Sequence, residues 1–318
     1  MYRDKRIAVV MPAYNEARNI RRTLAGLPDY VDHIVVVDDA STDDTPRLLQ
    51  EAAAQDARIV VIRHTVNQGC GVAKATCYIW CRDHDIDVVV AMDSDGQMDP
   101  AEMPSLLDPV VEDRADYAKG NRLVTGEAWK IIPRTRYLGN SALTLLTKIA
   151  SGYWHVTDSQ TGYSALNRKA LKLLPWESLY PRYGWPNDLL VTLNIYNMRV
   201  MDVLVKPIYG VGEVSKMRIY RDVFRMSWLL VRLYLRRLLQ KYIIRDFHPL
   251  VFFYALGAML LLIDIPLLVR LVVRWFQGGS ITNINMLAVL FCTFTGFQSI
   301  LFAMLFDMEA NRHLKGKE

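Results

Sequence analysis

The chain has 318 residues, a length that predicts about two structural units, and 52% of its residues are apolar. Its net charge of +5 is concentrated beside two long apolar segments near the C-terminus. Anionic lipid headgroups attract basic residues at such places, so the charge argues for a membrane surface and against nucleic acid. The four cysteines lack a common zinc-ligand spacing and fit small buried thiols in a reducing compartment.

Short apolar runs alternate with helical patterns over the first hundred residues. Strands are predicted at 7–11, 33–37, 58–63 and 88–92, with intervening helices that end near 27, 54 and 82. Three strand–helix repeats followed by a fourth strand require right-handed crossovers, and therefore a mostly parallel sheet with helices on its faces. We predict a Rossmann-like α/β fold, in which the loops after the strands meet at one ligand-binding edge.

The fourth predicted strand ends at Asp93-Ser-Asp95-Gly-Gln97. Side chains at i and i+2 of extended backbone share a face, so Asp93 and Asp95 can point together from the carboxyl end of the strand. Two carboxylates with the amide of Gln97 behind them form a hard-oxygen site that suits Mg²⁺ or Mn²⁺ carrying a substrate phosphate. Asp-x-Asp occurs by chance about once in a chain of this length, so its place after a buried strand is the informative part.

Acidic residues rather than a glycine cradle line the other loops at this edge. A Gly-x-Gly-x-x-Gly fingerprint is missing after the first strand, and no Lys-Ser/Thr pair follows Gly69 and Gly71, which argues against dinucleotide and ATP chemistry. Carboxylates such as Asp38 and Asp39 can accept hydrogen bonds from a nucleobase or ribose, while a metal ion holds the diphosphate. Asp43 is expected to form a turn or a helix cap instead.

Four motifs follow one another in the chain: Pro12-Ala-Tyr14-Asn-Glu16, Val37-Asp-Asp39-Ala-Ser41, Asn67-x-Gly69-x-Gly71 and Asp93-Ser-Asp95-Gly-Gln97. Each motif is weak alone, but in this order they resemble family 2 glycosyltransferases of the GT-A fold, over about residues 5 to 215. With two apolar segments following, the chain is most similar to the polyprenyl-phosphate monoglycosyltransferases. The resemblance implies an inverting transfer of one sugar from a nucleotide sugar, a UDP- or GDP-hexose, to a dolichyl or undecaprenyl phosphate.

The resemblance also implies roles for individual residues. The implied metal ligands are Asp93, Asp95 and Gln97, with Mg²⁺ or Mn²⁺ as the cofactor. The implied donor-binding residues are Pro12, Tyr14, Glu16, Asp39, Gly69, Lys74, Asp93 and Ser94. The implied catalytic residues are Asp95, Arg122 and Asp158. Arg122 ends a predicted fifth strand and matches a family arginine near the donor diphosphate, and Asp158 lies in Thr157-Asp158-Ser-Gln-Thr-Gly162-Tyr, from which the family aims or deprotonates the acceptor.

Acceptor binding is expected from four further positions. They are Arg134, in a helical stretch at 129–150, Asp188, in a segment that opens the next helix, and Ser215 and Lys216, which follow a predicted strand at 199–205. Lys216 is the leading cation for the acceptor phosphate. Many family members have Arg where this chain has Ser164, so one acceptor contact is expected to be missing.

Three alternatives stay open at this point. A phosphate monoester is already largely ionised at neutral pH because its second pKa is about 6, so Asp158 is either a base or a group that orients the acceptor. Transfer to diacylglycerol or another lipid hydroxyl would make a base obligatory. A non-catalytic membrane subunit that retains the fold is the alternative from another functional class.

Residues 250–269 and 285–306 are each long and apolar enough to cross a bilayer. Basic residues crowd an amphipathic stretch at 218–245 that suits the bilayer interface. The positive-inside rule then places both termini and the catalytic domain in the cytoplasm, and no signal peptide pattern precedes the first strand. Asp264, inside the first span, is expected to pair with Arg270 or to mark a homo-oligomer contact.

These patterns divide the chain into four segments. They are a catalytic domain at 1–213, amphipathic juxtamembrane helices at 214–247, two transmembrane helices at 248–306 and a cytoplasmic tail at 307–318. The expected partners are accordingly a nucleotide sugar, a polyprenyl phosphate lipid and the bilayer.

Overall fold

A computed structural model of the protein describes residues 1–123, 134–206, 208, 219–278 and 282–317, without the side chains of 134–138, 140 and 219–223. The chain forms two compact units. The first consists of Met1–Tyr234 together with His313–Glu318, and the second of Leu235–Arg312.

A seven-stranded sheet forms the centre of the described part of the first unit. Its strands are β1 Ile7–Ala13, β2 His33–Asp38, β3 Ile59–Arg63, β4 Val88–Ala91, β5 Tyr117–Asn121, β6 Ser164–Asn167 and β7 Val200–Leu204. They lie in the order β3-β2-β1-β4-β6-β5-β7. Strands β1 to β4 pair in parallel, as do β5 and β7, whereas β6 is antiparallel to both of its neighbours. The predicted mostly parallel α/β fold is confirmed.

The helices of the first unit are α1 Ile20–Ala25, α2 Thr45–Gln55, α3 Cys70–Asp83, α4 Met103–Val111, α5 Arg134–Ser151, α6 Arg168–Leu173, α7 Trp185–Ile195 and α8 Ile219–Leu239, which continues into the second unit. The apolar pattern predicts a start of helix α1 near Ala17, but the helix begins at Ile20. The cause lies in the preceding turn, where Asn15 has a left-handed backbone with φ of 57°. The N–H groups of Asn15 and Glu16 there donate to the hydroxyls of Ser41 and Thr45 instead of starting a helix.

Both faces of the sheet are buried, as expected for parallel strands covered by helices. Along β1, Ala8 and Val10 pack into the core on one face, while Ile7, Val9 and Met11 pack into the core on the other. The four predicted strands of the first hundred residues are therefore apolar along their length, and only their ends carry polar groups.

The segment after the second apolar helix returns to this sheet. Leu314 is buried in one core of the first unit, and the N–H of Gly316 donates to the carbonyl of Val200 on β7 at 2.9 Å. A parallel bridge joins Val200 to Lys315. The last residues thus pair with the exposed edge of β7, where the sequence indicated only a tail.

The second unit contains α9 Leu250–Phe276 and α10 Asn283–Ala310. Both helices are longer than the predicted spans and are apolar enough to cross a membrane. Only 11% and 28% of their most apolar windows are buried, unlike the core helices of a soluble protein. The helices approach closely where a side chain on Gly257 would come within 2.9 Å of the Gly296 carbonyl.

Buried polar side chains link helices of the second unit at two levels, α9 to α10 and the end of α8 to α10. Thr293 donates to Asp264 Oδ2 at 2.5 Å, so within the described residues the partner of Asp264 is Thr293 and not Arg270. Arg237 is fully buried and donates to both oxygens of Asp307, at 2.7 and 2.9 Å. The basic stretch predicted at 218–245 therefore includes at least one arginine that is engaged inside the protein.

Candidate active site

The loop after β4 brings the predicted metal ligands to the carboxyl edge of the sheet. The side chain of Asp93 is 33% exposed, and its Oδ1 lies 2.9 Å from Nζ of Lys74. Lys74 lies on α3 and is buried. Burial by itself lowers the pKa of Lys74, but the adjacent charge of Asp93 outweighs it and the net pKa is raised. Lys74 is therefore a fixed cation against one of the two carboxylates.

Asp95 lies in a less favourable environment. Its Oδ1 accepts the backbone N–H of Gln97 at 2.9 Å. Burial, followed by the negative charges of Asp93 and Glu16, raises the pKa of Asp95 to about 6. A second cation beside Asp95 would remove this electrostatic penalty, and the charge of Lys74 only partly does so.

The donor atoms fit a hard divalent cation. No group of three or more His, Cys, Asp and Glu side chains is arranged to hold a metal among the described residues. Mg²⁺ commonly needs only one or two carboxylates and takes its other ligands from water and substrate phosphates. The pair Asp93 and Asp95 with the amide of Gln97, and the raised pKa of Asp95, match that type of site.

Within this loop, Ser94 contacts Pro12 of β1. Ser94 is buried, and its hydroxyl donates to the carbonyl of Pro12 at 2.9 Å. A side chain on Gly162 would lie only 2.5 Å from Asp93 Oδ2 and 3.0 Å from Lys74 Nζ. The backbone at Gly162 therefore packs directly on the Asp93–Lys74 pair, and the segment from Asp158 to Gly162 lies against the Asp93–Gln97 loop.

Asp39 anchors the loop that carries Gly69. Its carboxylate accepts the N–H groups of Gln68 at 2.9 Å and of Gly69 at 2.8 Å, and Nδ1 of His64 lies 2.8 Å away. Gly69 has a φ of 99°, which favours glycine. Asp39 thus shapes the edge of the crevice as well as being a predicted donor ligand. Tyr14, also a predicted donor residue, is 39% exposed at this edge.

A cavity of about 160 Å³ lies between the Asp93–Gln97 loop and the residues that follow β5 and precede β6. It is lined by Asp93, Gln97, Met98, Asp99, Glu102, Arg122, Gln160, Thr161, Gly162, Tyr163, Val205 and Lys206. Two predicted metal ligands and the predicted diphosphate arginine therefore share one cavity.

Arg122 and Asp158 form an ion pair beside this cavity. The Arg122 Nε donates to Asp158 Oδ2 at 2.8 Å, Nη2 lies 3.3 Å from Oδ1, and the Arg122 N–H lies 3.2 Å from Oδ2. Asp158 is fully buried, and Lys119 donates to its backbone carbonyl. Burial alone would raise the pKa of Asp158, but Lys119 and Arg122 hold it below its ordinary value. Asp158 is therefore an ionised, fully engaged carboxylate.

The predicted acceptor residues are described only in part. Asp188 is buried in the first turn of α7, where it accepts the N–H of Tyr180 at 2.8 Å. Arg134 begins α5, but its side chain lies outside the described residues, as do Ser215 and Lys216. Ser164 begins β6 and is buried.

Three residues under the site were not predicted as functional. They are Lys119 and Asn121 on β5 and Asp202 on β7, all beneath the Arg122–Asp158 pair. A signal existed for Asp202, because a carboxylate in the middle of the predicted strand at 199–205 requires an internal partner. The identity of that partner was not readable from the sequence.

Comparison with known proteins agrees with this arrangement. Residues 8–174 match the family model for glycosyl transferase family 2. The UDP-N-acetylglucosamine–dolichyl-phosphate N-acetylglucosaminyltransferase of Methanococcus voltae is 30% identical over 65% of this chain and 87% of its own length. The undecaprenyl-phosphate mannosyltransferase of Micrococcus luteus is 31% identical over 62% and 82%.

Among solved structures, glucosyl-3-phosphoglycerate synthase from Mycobacterium tuberculosis with Mg²⁺ and UDP superposes with a TM-score of 0.54. The alignment covers 74% of this chain and 79% of that one at 24% identity, and it supports the GT-A fold. The family predicted from the four motifs is confirmed by the sequence matches. Since the family model covers more than half of the chain, the protein belongs to glycosyltransferase family 2 and is a glycosyltransferase.

Proposed function

We propose that this protein transfers one sugar, with inversion, from a UDP- or GDP-hexose to a polyprenyl phosphate at the cytoplasmic face of a membrane. The observation that carries the proposal is the single cavity shared by Asp93, Gln97 and Arg122, with Asp158 paired to Arg122 beside it. The relatives named above act, by their names, on dolichyl and undecaprenyl phosphates.

On the donor side, Asp93, Asp95 and Gln97 would hold the Mg²⁺ or Mn²⁺. When bound, this ion neutralises negative charge on the departing nucleoside diphosphate. Arg122 supplies a further positive charge to the same cavity. The cation of Lys74 keeps Asp93 oriented toward that cavity through their 2.9 Å contact.

The nucleobase would lie near Asp39. A second cavity of about 450 Å³ is lined by Ala40, Arg63, His64 and Thr65. It lies next to Asp39, because Ala40 follows Asp39 in the chain and His64 contacts the Asp39 carboxylate. The other donor residues keep their predicted roles. They are Pro12, Tyr14, Glu16, Gly69 and Ser94.

The state of Asp158 favours a phosphate acceptor over a lipid hydroxyl. A hydroxyl nucleophile needs a base that takes up its proton, and the lowered pKa and ion pair of Asp158 make that carboxylate a poor proton acceptor. A phosphate monoester is largely ionised at neutral pH and needs only to be oriented. We therefore assign Asp158 to holding Arg122 and the acceptor side of the cavity.

Two exposed apolar helices support a membrane location. The segments on either side of them, up to Tyr234 and from His313, belong to one compact unit. A compact unit lies on one side of a bilayer, so an even number of crossings is required. Together with the basic residues near 218–245, this favours a catalytic unit in the cytoplasm. The division at 213, 247 and 306 remains a prediction.

The test is an assay of the full-length protein in lipid nanodiscs. UDP and GDP sugars are supplied with Mg²⁺ or Mn²⁺ and either a short polyprenyl phosphate or diacylglycerol, and the lipid product is identified by its mass. We expect a single sugar on the phosphate lipid and loss of the product with a chelator. Product only on diacylglycerol, or undiminished transfer with the chelator, would overturn the proposal.

A further inference from the structure

Asp202 lies in the middle of β7, opposite Lys119 of β5. Its Oδ2 accepts three hydrogen bonds, from the N–H and the hydroxyl of Thr157, both at 2.8 Å, and from Nδ2 of Asn121 at 3.1 Å. Asn121 also donates to the hydroxyl of Thr157. One carboxylate oxygen thus joins the end of β5 to the loop before β6.

The two residues that Asp202 holds directly precede the two members of the ion pair in the cavity. Asn121 precedes Arg122, and Thr157 precedes Asp158. Asn121 Oδ1 additionally accepts the N–H of Leu123 at 3.1 Å, so the backbone is held on both sides of Arg122. The hydrogen bonds to one oxygen of Asp202 therefore hold the backbone next to both Arg122 and Asp158.

A carboxylate at this position is costly unless it does something that an apolar residue could not. Burial raises the pKa of Asp202, and the positive charge of Lys119 offsets this only in part. Its second oxygen, Oδ1, is buried without a hydrogen-bond partner among the described residues. A β-branched residue would suit the strand better, but it would leave the N–H of Thr157 unbonded and would remove one of the two acceptors of the Asn121 amide.

From this juxtaposition we infer that Asp202 is a positioning residue for the transfer reaction. It sets the relative placement of Arg122 and Asp158 through its hydrogen bonds to Asn121 and Thr157. The inference rests on the proposed function only in taking the Arg122–Asp158 pair as part of the reaction centre.

The test compares Asp202→Asn with Asp116→Asn. Asp116 is buried and lies at the opposite end of the same strands, where it accepts the N–H of Arg199 at 2.8 Å and Nδ2 of Asn167 at 2.9 Å. Both variants replace a carboxylate that links the β5 region to β7. Asp116 also forms ion pairs with Arg199 and Lys169, so its replacement should cost more stability, but it lies at the other end of the strands from the Arg122–Asp158 pair.

For Asp202→Asn we expect kcat to fall roughly 10- to 100-fold, because displacing a reacting group by about 1 Å can cost that much. The KM for the nucleotide sugar and the metal requirement should change by less than about 2-fold, since the Asp93–Gln97 loop is held separately. Asp116→Asn should lower the Tm more than Asp202→Asn does, because it removes the ion pairs with Arg199 and Lys169, and should leave kcat within about 2-fold. Thr157→Val, which removes the hydroxyl but keeps the N–H, should give an intermediate loss of kcat.

Equal losses of kcat in the Asp202 and Asp116 variants, or a kcat of Asp202→Asn near that of the wild type, would overturn the inference. A second readout does not require turnover. Hydrogen exchange at residues 121–123 and 157–160 should quicken in Asp202→Asn and not in Asp116→Asn. If the wild type transfers no sugar, the proposed function fails, and the exchange result alone then decides the role of Asp202: unchanged exchange in both peptides refutes it.

Discussion

Asp95 and Asp158 lie in two loops at the same edge of the sheet, and their carboxylates experience opposite electrostatic environments. Burial and the charge of Asp93 raise the pKa of Asp95 to about 6. For Asp158, Lys119 and Arg122 outweigh burial and lower the pKa. The chain therefore supplies the cations for Asp158 itself and compensates Asp95 only in part, through Lys74. The loop that carries Asp95 is suited to bind an external cation. The loop that carries Asp158 has its negative charge balanced by cations of the protein itself.

The largest expected effect is that of Asp95→Asn on transfer. Losing one ligand of the proposed metal should lower kcat by roughly 10²- to 10³-fold, as for other groups that stabilise developing negative charge. Folding should be unaffected or improved, because the substitution removes repulsion from Asp93. Transfer assays and thermal unfolding of the same preparation check both parts. Full activity in this variant would refute the metal assignment, and Asp44→Asn, at an exposed turn, serves as the control.

Asp158→Asn should behave differently from Asp95→Asn in stability. The substitution leaves Arg122 and Lys119 without their shared anion, and breaking a buried ion pair is costly. Because Arg122 is 21% exposed, we expect the free energy of unfolding to fall by about 2–3 kcal/mol, less than for a fully buried pair. We expect kcat to fall about 10- to 100-fold as the reaction centre loses its placement.

Denaturant unfolding of both variants separates the two environments. A destabilisation by Asp95→Asn as large as that by Asp158→Asn would contradict the opposite electrostatic environments of the two carboxylates. A stability of Asp158→Asn equal to that of the wild type would contradict it from the other side.

Gly162→Ala tests the contact between the two loops. The added Cβ would lie 2.5 Å from Asp93 Oδ2, so the Asp93–Lys74 pair must shift. We expect the affinity for a nucleoside diphosphate with Mn²⁺ to fall about tenfold, or about 1.4 kcal/mol, as measured by calorimetry. Gly139→Ala is the matched control, since nothing lies within 4 Å of its added Cβ on α5. It should leave binding unchanged and raise stability by about 0.5–1 kcal/mol.

The smallest expected effect is in the pH dependence of stability without metal. The folded-state pKa of Asp95 is raised to about 6, so the native state binds a proton there before the unfolded state does. Wild-type stability should therefore increase, relative to Asp95→Asn, as the pH falls from about 7 toward 5, by at most about 1.4 kcal/mol per pH unit.

Asp158 should contribute in a different pH window. Its lowered pKa means that its stabilisation is fully present above the unfolded value of about 3.9 and is lost only as the pH falls through the lower folded value. Denaturant midpoints measured from about pH 2 to 8 for the wild type and both variants cover both windows. A pH profile of Asp95→Asn that parallels the wild type would contradict the assigned environment.

The features that were predicted correctly depend on short-range patterns. The apolar run ending at Asp93 indicated both a buried strand and the position of Asp93 and Asp95 at its carboxyl end. The order of four strands with intervening helices indicated the parallel sheet, with the carboxyl ends of its strands along one edge. Each of these follows from residue spacing within one element and from the handedness of crossovers.

The features that were missed depend on contacts between distant segments. Strand β6, Ser164–Asn167, is too short to show a pattern, and it becomes a strand because β4 and β5 hydrogen-bond to it on both sides. Pairing of Leu314 and Gly316 with β7 gives no local signal either.

The sequence by itself determined the α/β class, the family, the two apolar helices and the place of the acidic loop after β4, because hydrophobic period and motif order are local properties. Only the tertiary structure decided which charges neutralise which. Asp158 is compensated by Lys119 and Arg122, while Asp95 is compensated only in part by Lys74. Charge compensation depends on distances across the fold and on burial, and neither is written in the spacing of residues along the chain.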